Sequence, residues 1–136
     1  SVGVNFTLSS PVDYKLPAII LNEVESRAAI SGSKVKWVLN PSEAVINADF
    51  VYTDVWVSMG QENDRKERLK DFTGYTVTED LLNLAKPSVL FMHDMPAHRG
   101  EEIDQNVLDS SRSIAFDQAE NRLYAQKAIM HSLFSK

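Results

Sequence analysis

The chain contains no cysteine. This excludes a disulfide framework, a thiolate metal site and a cysteine nucleophile, and it fits a reducing compartment. Glycine and proline are also scarce, at 5 each in 136 residues, so collagen-like and low-complexity readings fail. Positive charge is in short supply. Lys+Arg 14 against Asp+Glu 19 leaves a formal charge of −5 and no basic cluster, and nucleic acid is therefore not expected as the main partner. No apolar run approaches the roughly 20 residues needed to cross a bilayer, so no membrane partner is expected either. No basic stretch followed by an apolar one opens the chain, so neither a signal nor a transit peptide is visible. An initiator methionine is missing too, and the opening Ser1-Val2-Gly3-Val4 reads as a trimmed protein or a piece of a longer one.

What is present is an ordinary globular composition, 43% hydrophobic and 24% charged, at a length that supports one domain around one core. Short apolar runs alternate with amphipathic segments. Val2 to Leu8 reads as a strand closed by Ser9-Ser10-Pro11. Pro17 opens a helix that ends at Gly32 as at a C-cap glycine. Val35 to Leu39 is a second strand, and Asn40-Pro41-Ser42-Glu43 starts a short helix through Ile46. The run Asp49 to Asp54 is apolar and β-rich enough for a buried central strand. Gln61 to Phe72 is dense in charge, with Glu62/Lys66 and Asp64/Arg68 spaced as i,i+4 pairs on a solvated helix ended by Gly74. Thr78 caps a short helix, Ser88 to Met92 is another buried strand, and Gln118 to Phe134 is a long terminal helix. This alternation predicts an α/β fold, with βαβ units forming one mostly parallel sheet covered on both faces, a three-layer Rossmann-like sandwich.

In open parallel sheets ligands bind beyond the carboxyl ends of the strands, and two strand-exit loops carry chemistry. The first runs Asp54-Val55-Trp56-Val57-Ser58-Met59-Gly60-Gln61-Glu62. Asp54 is either a turn or cap residue or a carboxylate that holds a cationic ligand, with a hydroxyl from Ser58 and N–H donors from the Met59-Gly60 backbone. The second loop runs His93-Asp94-Met95-Pro96-Ala97-His98-Arg99-Gly100-Glu101-Glu102. His93 and His98 lack a third ligand at a convincing spacing, so no metal is expected. His93 is read as a neutral donor to a carbonyl or phosphate oxygen. Glu101-Glu102 is read as a solvated face, and His131 as a helix-dipole partner near the end of the last helix. Arg122, early in that helix, opposes the local dipole and calls for an anion, which is either Glu120 or a bound phosphate.

Together these segments resemble ornithine carbamoyltransferases. The family's Asp-x-x-x-Ser-Met-Gly loop matches Asp54, Ser58, Met59 and Gly60 in register. Its His-Cys-Leu-Pro loop is similar to His93-Asp94-Met95-Pro96, and the start of its terminal helix to Arg112-Ser113 through Ala119-Glu120-Asn121-Arg122. The resemblance implies a domain spanning residues 1–136 that binds the amino-acid substrate of an enzyme moving the carbamoyl group of carbamoyl phosphate onto L-ornithine. The products are citrulline and phosphate, in arginine biosynthesis. By the same resemblance Asp54, Ser58 and the Met59 backbone hold ornithine, and Asp94, Met95 and Arg122 meet carbamoyl phosphate. Asp94 and His93 take the catalytic positions, and no cofactor or metal is needed. The resemblance also implies a cytoplasmic, trimeric parent.

Two departures from the family stand out. Asp94 replaces its cysteine, which beside an amine favours the protonated, non-nucleophilic form unless the carboxylate itself accepts the proton. The Ser-Thr-Arg-Thr loop of the carbamoyl phosphate domain is absent, as is the Asp-Gly-Asn-Asn segment that opens the second domain. The chain thus reads as starting one βα unit late, with an exposed strand edge and apolar surface expected where that unit belongs. The alternatives are a non-catalytic α/β binding or regulatory module, and a carbamoyltransferase for a different amine. A nucleotide-binding domain is disfavoured because no Gly-x-Gly-x-x-Gly follows the first strand.

Overall fold

The computed structural model describes residues 3–135, so Val2, where the first strand is expected to begin, lies outside the described residues. Strand β1 (Phe6–Ser9) leads through a 3-10 turn at Val12–Tyr14 into helix α1 (Ala18–Ser31). Helix α1 ends at Gly32, whose φ of 70° supplies the left-handed cap that its sequence promises. Strand β2 (Val35–Val38) follows, and then α2 (Pro41–Ala44), where the Asn40 side chain accepts from the Ser42 amide and Pro41 occupies the first turn. Strand β3 (Phe50–Thr53) gives way to the 58–62 loop, a 3-10 turn at Glu62–Asp64, and α3 (Arg65–Asp71). Helix α4 (Glu79–Asn83) is capped by Thr78, whose side chain accepts from the Leu81 amide. Strand β4 (Leu90–His93) and helix α5 (Ala115–Phe134) complete the chain.

All four strands run parallel to their partners, as the βα alternation requires. They form two pairs: β1 with β2, in the register Phe6 to Val35, and β3 with β4, in the register Phe50 to Leu90. On its far side β4 is completed by Arg112–Ile114: Phe91 N–H donates to the Arg112 carbonyl and Ile114 N–H to the Phe91 carbonyl. Strand β4 is therefore the interior strand. Among the described residues β3 has no ladder partner on its other side. This corrects the expectation of a buried central strand over Asp49–Asp54: Phe50 and Tyr52 are 56% and 52% exposed, and only Val51 is buried. An apolar run codes for two covered faces, but one of them is uncovered here. Among the described residues β1 and β3 each have one open edge, and Val4 and Phe6 are exposed.

The hydrophobic core surrounds β4. Phe91, Val89, Leu82, Ile103, Val107 and Ala115 are almost wholly buried there, with Val45, Val51, Val77 and Leu81 packed around them. The two strand pairs are joined at their carboxyl ends by aromatic contacts. The Tyr14 ring meets Phe72 edge-on at 4.7 Å and Trp56 stacks on Phe72 at 5.5 Å, while Tyr75 Oη donates to the Leu39 carbonyl at 2.6 Å. The i,i+4 charge pairs expected on the 61–72 helix do not form among the described residues. Arg68 donates instead to the Trp56 carbonyl at 3.2 Å, and the neighbouring Arg65 reaches to Glu101. Helix α3 thereby fastens both strand-exit loops.

Candidate functional site

Parallel pairing fixes the central geometry. Thr53 stands opposite His93 in the ladder, so Asp54 and Asp94 leave β3 and β4 on the next rung, side by side at the carboxyl end of the pair. Asp54 Oδ1 accepts from the Val55 amide at 2.6 Å, the local turn bond expected of an aspartate here. The same carboxyl lies within the field of both Asp94 and His93. Partial burial, then repulsion from and hydrogen bonding to Asp94, hold the Asp54 pKa above its ordinary value, against the lowering pull of the Val55 amide. Asp94 Oδ1 is buried without a hydrogen-bond partner. Two carboxyls that share one corner, one of them unsatisfied, form a receptor for a proton or a cationic amine.

One measurable consequence follows from this pair. Asp94→Asn removes the neighbouring charge, so the Asp54 carboxyl should titrate at lower pH than in the unaltered protein. Following its side-chain carbonyl carbon by NMR against pH checks this, and an unmoved midpoint would mean the two groups do not interact.

His93 anchors the corner from beneath. It is wholly buried, its Nδ1 accepts from the Met95 amide at 2.9 Å, and its Nε2 lies 3.1 Å from Glu102 Oε1. An acceptor Nδ1 assigns the proton to Nε2, giving a neutral ring that donates to Glu102. This differs from the expected role. With both nitrogens engaged inside the protein, His93 orients the loop and does not reach a substrate oxygen. The Met95 amide is likewise taken up. Met95 has φ of 56° and is joined to Pro96 by a cis peptide bond.

Glu102 overturns the reading of Glu101-Glu102 as a solvated face, because its side chain is fully buried. The cause lies in the segment around it. Val77 N–H donates to the Glu102 carbonyl, Asp104 N–H to the Val77 carbonyl and Thr76 Oγ1 to the Glu101 carbonyl, which pins the strand-like stretch and turns alternate side chains inward. Glu102 Oε1 accepts from the His98 amide as well as from His93. Burial alone would push its pKa up, but these hydrogen bonds to the ionised form prevail and hold it below the ordinary value. Adjacent acidic residues carry no signal in sequence that separates an inward carboxylate from an outward one. Glu101, only partly buried, is ion-paired with Arg65.

Arg122 sits two turns into α5, which begins three residues earlier than its periodicity implies. Glu120 does not hold it: Glu120 accepts from Tyr124 Oη, while Arg122 Nη1 donates to the Asp94 carbonyl at 3.0 Å. The guanidinium is thereby brought onto the same corner as the two aspartates. The 58–62 loop is tied down by its own side chains, Ser58 N–H donating to Gln61 Oε1 and Gly60 N–H to Glu62 Oε1. The Gly60 amide is thus spoken for, and Met59 is 98% exposed at the rim. The structure therefore gathers Asp54, Asp94, His93, Met95 and Arg122 at one corner, with Ser58 and Met59 on the loop beside them. The corner is open on its outer side. A separate concavity, lined among others by Pro41, Ser42, Thr76, Thr78 and Leu84, lies elsewhere and has Asp80 as the one charged side chain of its lining.

The chain belongs to the family described as aspartate/ornithine carbamoyltransferase, Asp/Orn binding domain, whose model matches residues 1–133. It is 49% identical over 130 residues to an ornithine carbamoyltransferase of Methanopyrus kandleri, covering 96% of this chain and 42% of that relative. Among solved structures it is similar to the ornithine carbamoyltransferase from Pyrococcus furiosus, with a TM-score of 0.88 and 45% identity over 95% of this chain and 41% of that one. It is also similar to an acetylornithine transcarbamylase complexed with acetylcitrulline, with a TM-score of 0.83 and 30% identity over 98% of this chain and 41% of that one. The chain therefore spans about two fifths of the length of its relatives.

Proposed function

We propose that this chain is the L-ornithine-binding domain of an ornithine carbamoyltransferase, and that the intact protein transfers the carbamoyl group of carbamoyl phosphate to ornithine in arginine biosynthesis. The observation that carries the reading is the Asp54–Asp94 carboxyl pair, with Arg122 fastened to the Asp94 backbone, in a chain of this family. Asp54 and Ser58 hold the amino groups of the substrate, and the exposed Met59 backbone faces its amino-acid end. Arg122 and the 94–95 backbone border the carbamoyl phosphate, which the other domain of the intact protein binds. Trimeric assembly in the cytoplasm belongs to the same proposal.

The reaction needs a neutral amine. Its nitrogen attacks the carbamoyl carbon, the bond from that carbon to the phosphate oxygen breaks, phosphate leaves, and the amine gives up a proton. Asp94 stands where the proton must go, and its unpartnered Oδ1, beside an Asp54 already disposed to share a proton, suits it as acceptor. His93, Glu102 and Met95 hold the loop, so the acceptor is in place before substrate arrives. The test is citrulline formation by the intact protein given carbamoyl phosphate and L-ornithine, compared with Asp94→Cys. Turnover by the unaltered protein supports the assignment, and its absence under conditions where Asp94→Cys turns over would make this a binding module. The similarity to an acetylornithine transcarbamylase favours one second reading, an N-acylated ornithine as acceptor, which the same assay decides by exchanging the amine.

A further inference from the structure

We propose that His98, Glu101 and Glu102 form a binding site for a divalent cation of the zinc class on the outer flank of the loop after β4. One ligand atom from each of the three lies within 4.8 Å of the others. The observation that points to a ligand is Glu102 Oε2: its side chain is wholly buried, yet this oxygen has no hydrogen-bond partner. The other oxygen, Oε1, is already saturated by His93 and the His98 amide. The same bonds to Oε1 favour the ionised carboxylate, leaving a buried negative charge with one bare oxygen. His93 cannot neutralise it, because its Nδ1 accepts from Met95 and its ring is neutral. An anion so placed demands a cation.

The bare oxygen faces the His98 ring, whose Nδ1 is 3.9 Å away. Around tetrahedral zinc, bonds of about 2.0–2.2 Å put neighbouring ligand atoms roughly 3.3–3.5 Å apart. A small rotation of the His98 ring, which is half exposed, closes the difference. Arg65 engages one Glu101 oxygen, and its charge offsets part of that of the ligand set. An imidazole with two carboxylates suits zinc better than calcium or magnesium, which prefer all-oxygen shells. The bonds that fix Glu102 Oε1 act as the outer support that orients a metal-binding carboxylate.

Glu102 also holds the loop in the transfer reaction proposed above, but metal uptake is read without turnover, so its test stands apart from that reading. The experiment is calorimetric titration of zinc ion alone into the metal-free intact protein at pH 7, alongside His98→Ala and, as a control, His131→Ala. The expected result is one ion bound per chain in a process that His98→Ala weakens by about tenfold or more and His131→Ala leaves unchanged. His98 is at the surface, so its removal does not threaten folding. Two results overturn the proposal: no zinc uptake by the unaltered protein, as when a His98 imidazolium alone answers Glu102, or equal uptake by His98→Ala.

Discussion

Asp54→Asn in the intact protein is expected to cut kcat/KM for the amine substrate by roughly 10- to 150-fold, the equivalent of about 1.5–3 kcal/mol for losing a hydrogen bond to a charged group. The amide keeps the volume and can still accept from the Val55 amide, but it cannot carry the charge that an ammonium group seeks. The fold should not suffer. Burial and the neighbouring Asp94 already oppose ionisation of Asp54, so the neutral replacement relieves a repulsion. Steady-state kinetics together with a urea melt checks both halves: kcat/KM falls while the unfolding midpoint stays level or rises. A variant that lost stability and activity together would show Asp54 to be a structural turn residue and not a substrate ligand.

The opposite pattern is expected at Glu102. Glu102→Ala leaves the His98 amide and the His93 Nε2–H without an acceptor and empties a fully buried volume. Orphaned buried donors cost about 1–3 kcal/mol each, so with the lost packing a loss of about 3–5 kcal/mol is expected, read from urea denaturation. The pH dependence carries the sign. The Glu102 carboxyl sits below its ordinary 4.5 in the folded protein, so folding favours the ionised form. That contribution is complete above about 4.5 and disappears as the pH falls towards the lowered folded value. Glu102→Ala should flatten this part of the acid limb. A variant with unchanged stability near pH 7 and an unchanged acid limb would remove Glu102 as the clamp beneath the site.

The contrast between these two carboxylates shows what a sequence can and cannot convey. Asp54 was legible because it ends an apolar run, and ladder pairing places the next residue of each parallel strand at the same rim. The caps at Asn40, Thr78 and Gly32 were legible for a similar reason: each depends on atoms a few residues away. Glu102 was not, because its burial depends on Val77 and Thr76 gripping the backbone from some 25 residues upstream. Arg122 was sensed as a cation needing a partner, but the partner is a main-chain carbonyl 28 residues away, which no side-chain inventory reveals. The β3 run misled in the other direction. Phe50 and Tyr52 have the residue types of a covered strand, and their exposure reflects which neighbours are present and not how the strand itself is coded.

The buried apolar residues are distributed unevenly, and this bears on how the molecule opens. Nearly all of them surround β4, whereas α1 buries only Ala28 and leaves Ile19, Ile20 and Ile30 in solvent. Opening free energies follow the density of such packing, so the amides of the α1–β1–β2 portion are expected to exchange with solvent ahead of those of β4. The carboxylate corner belongs to the slow-exchanging portion and keeps its geometry through such partial openings.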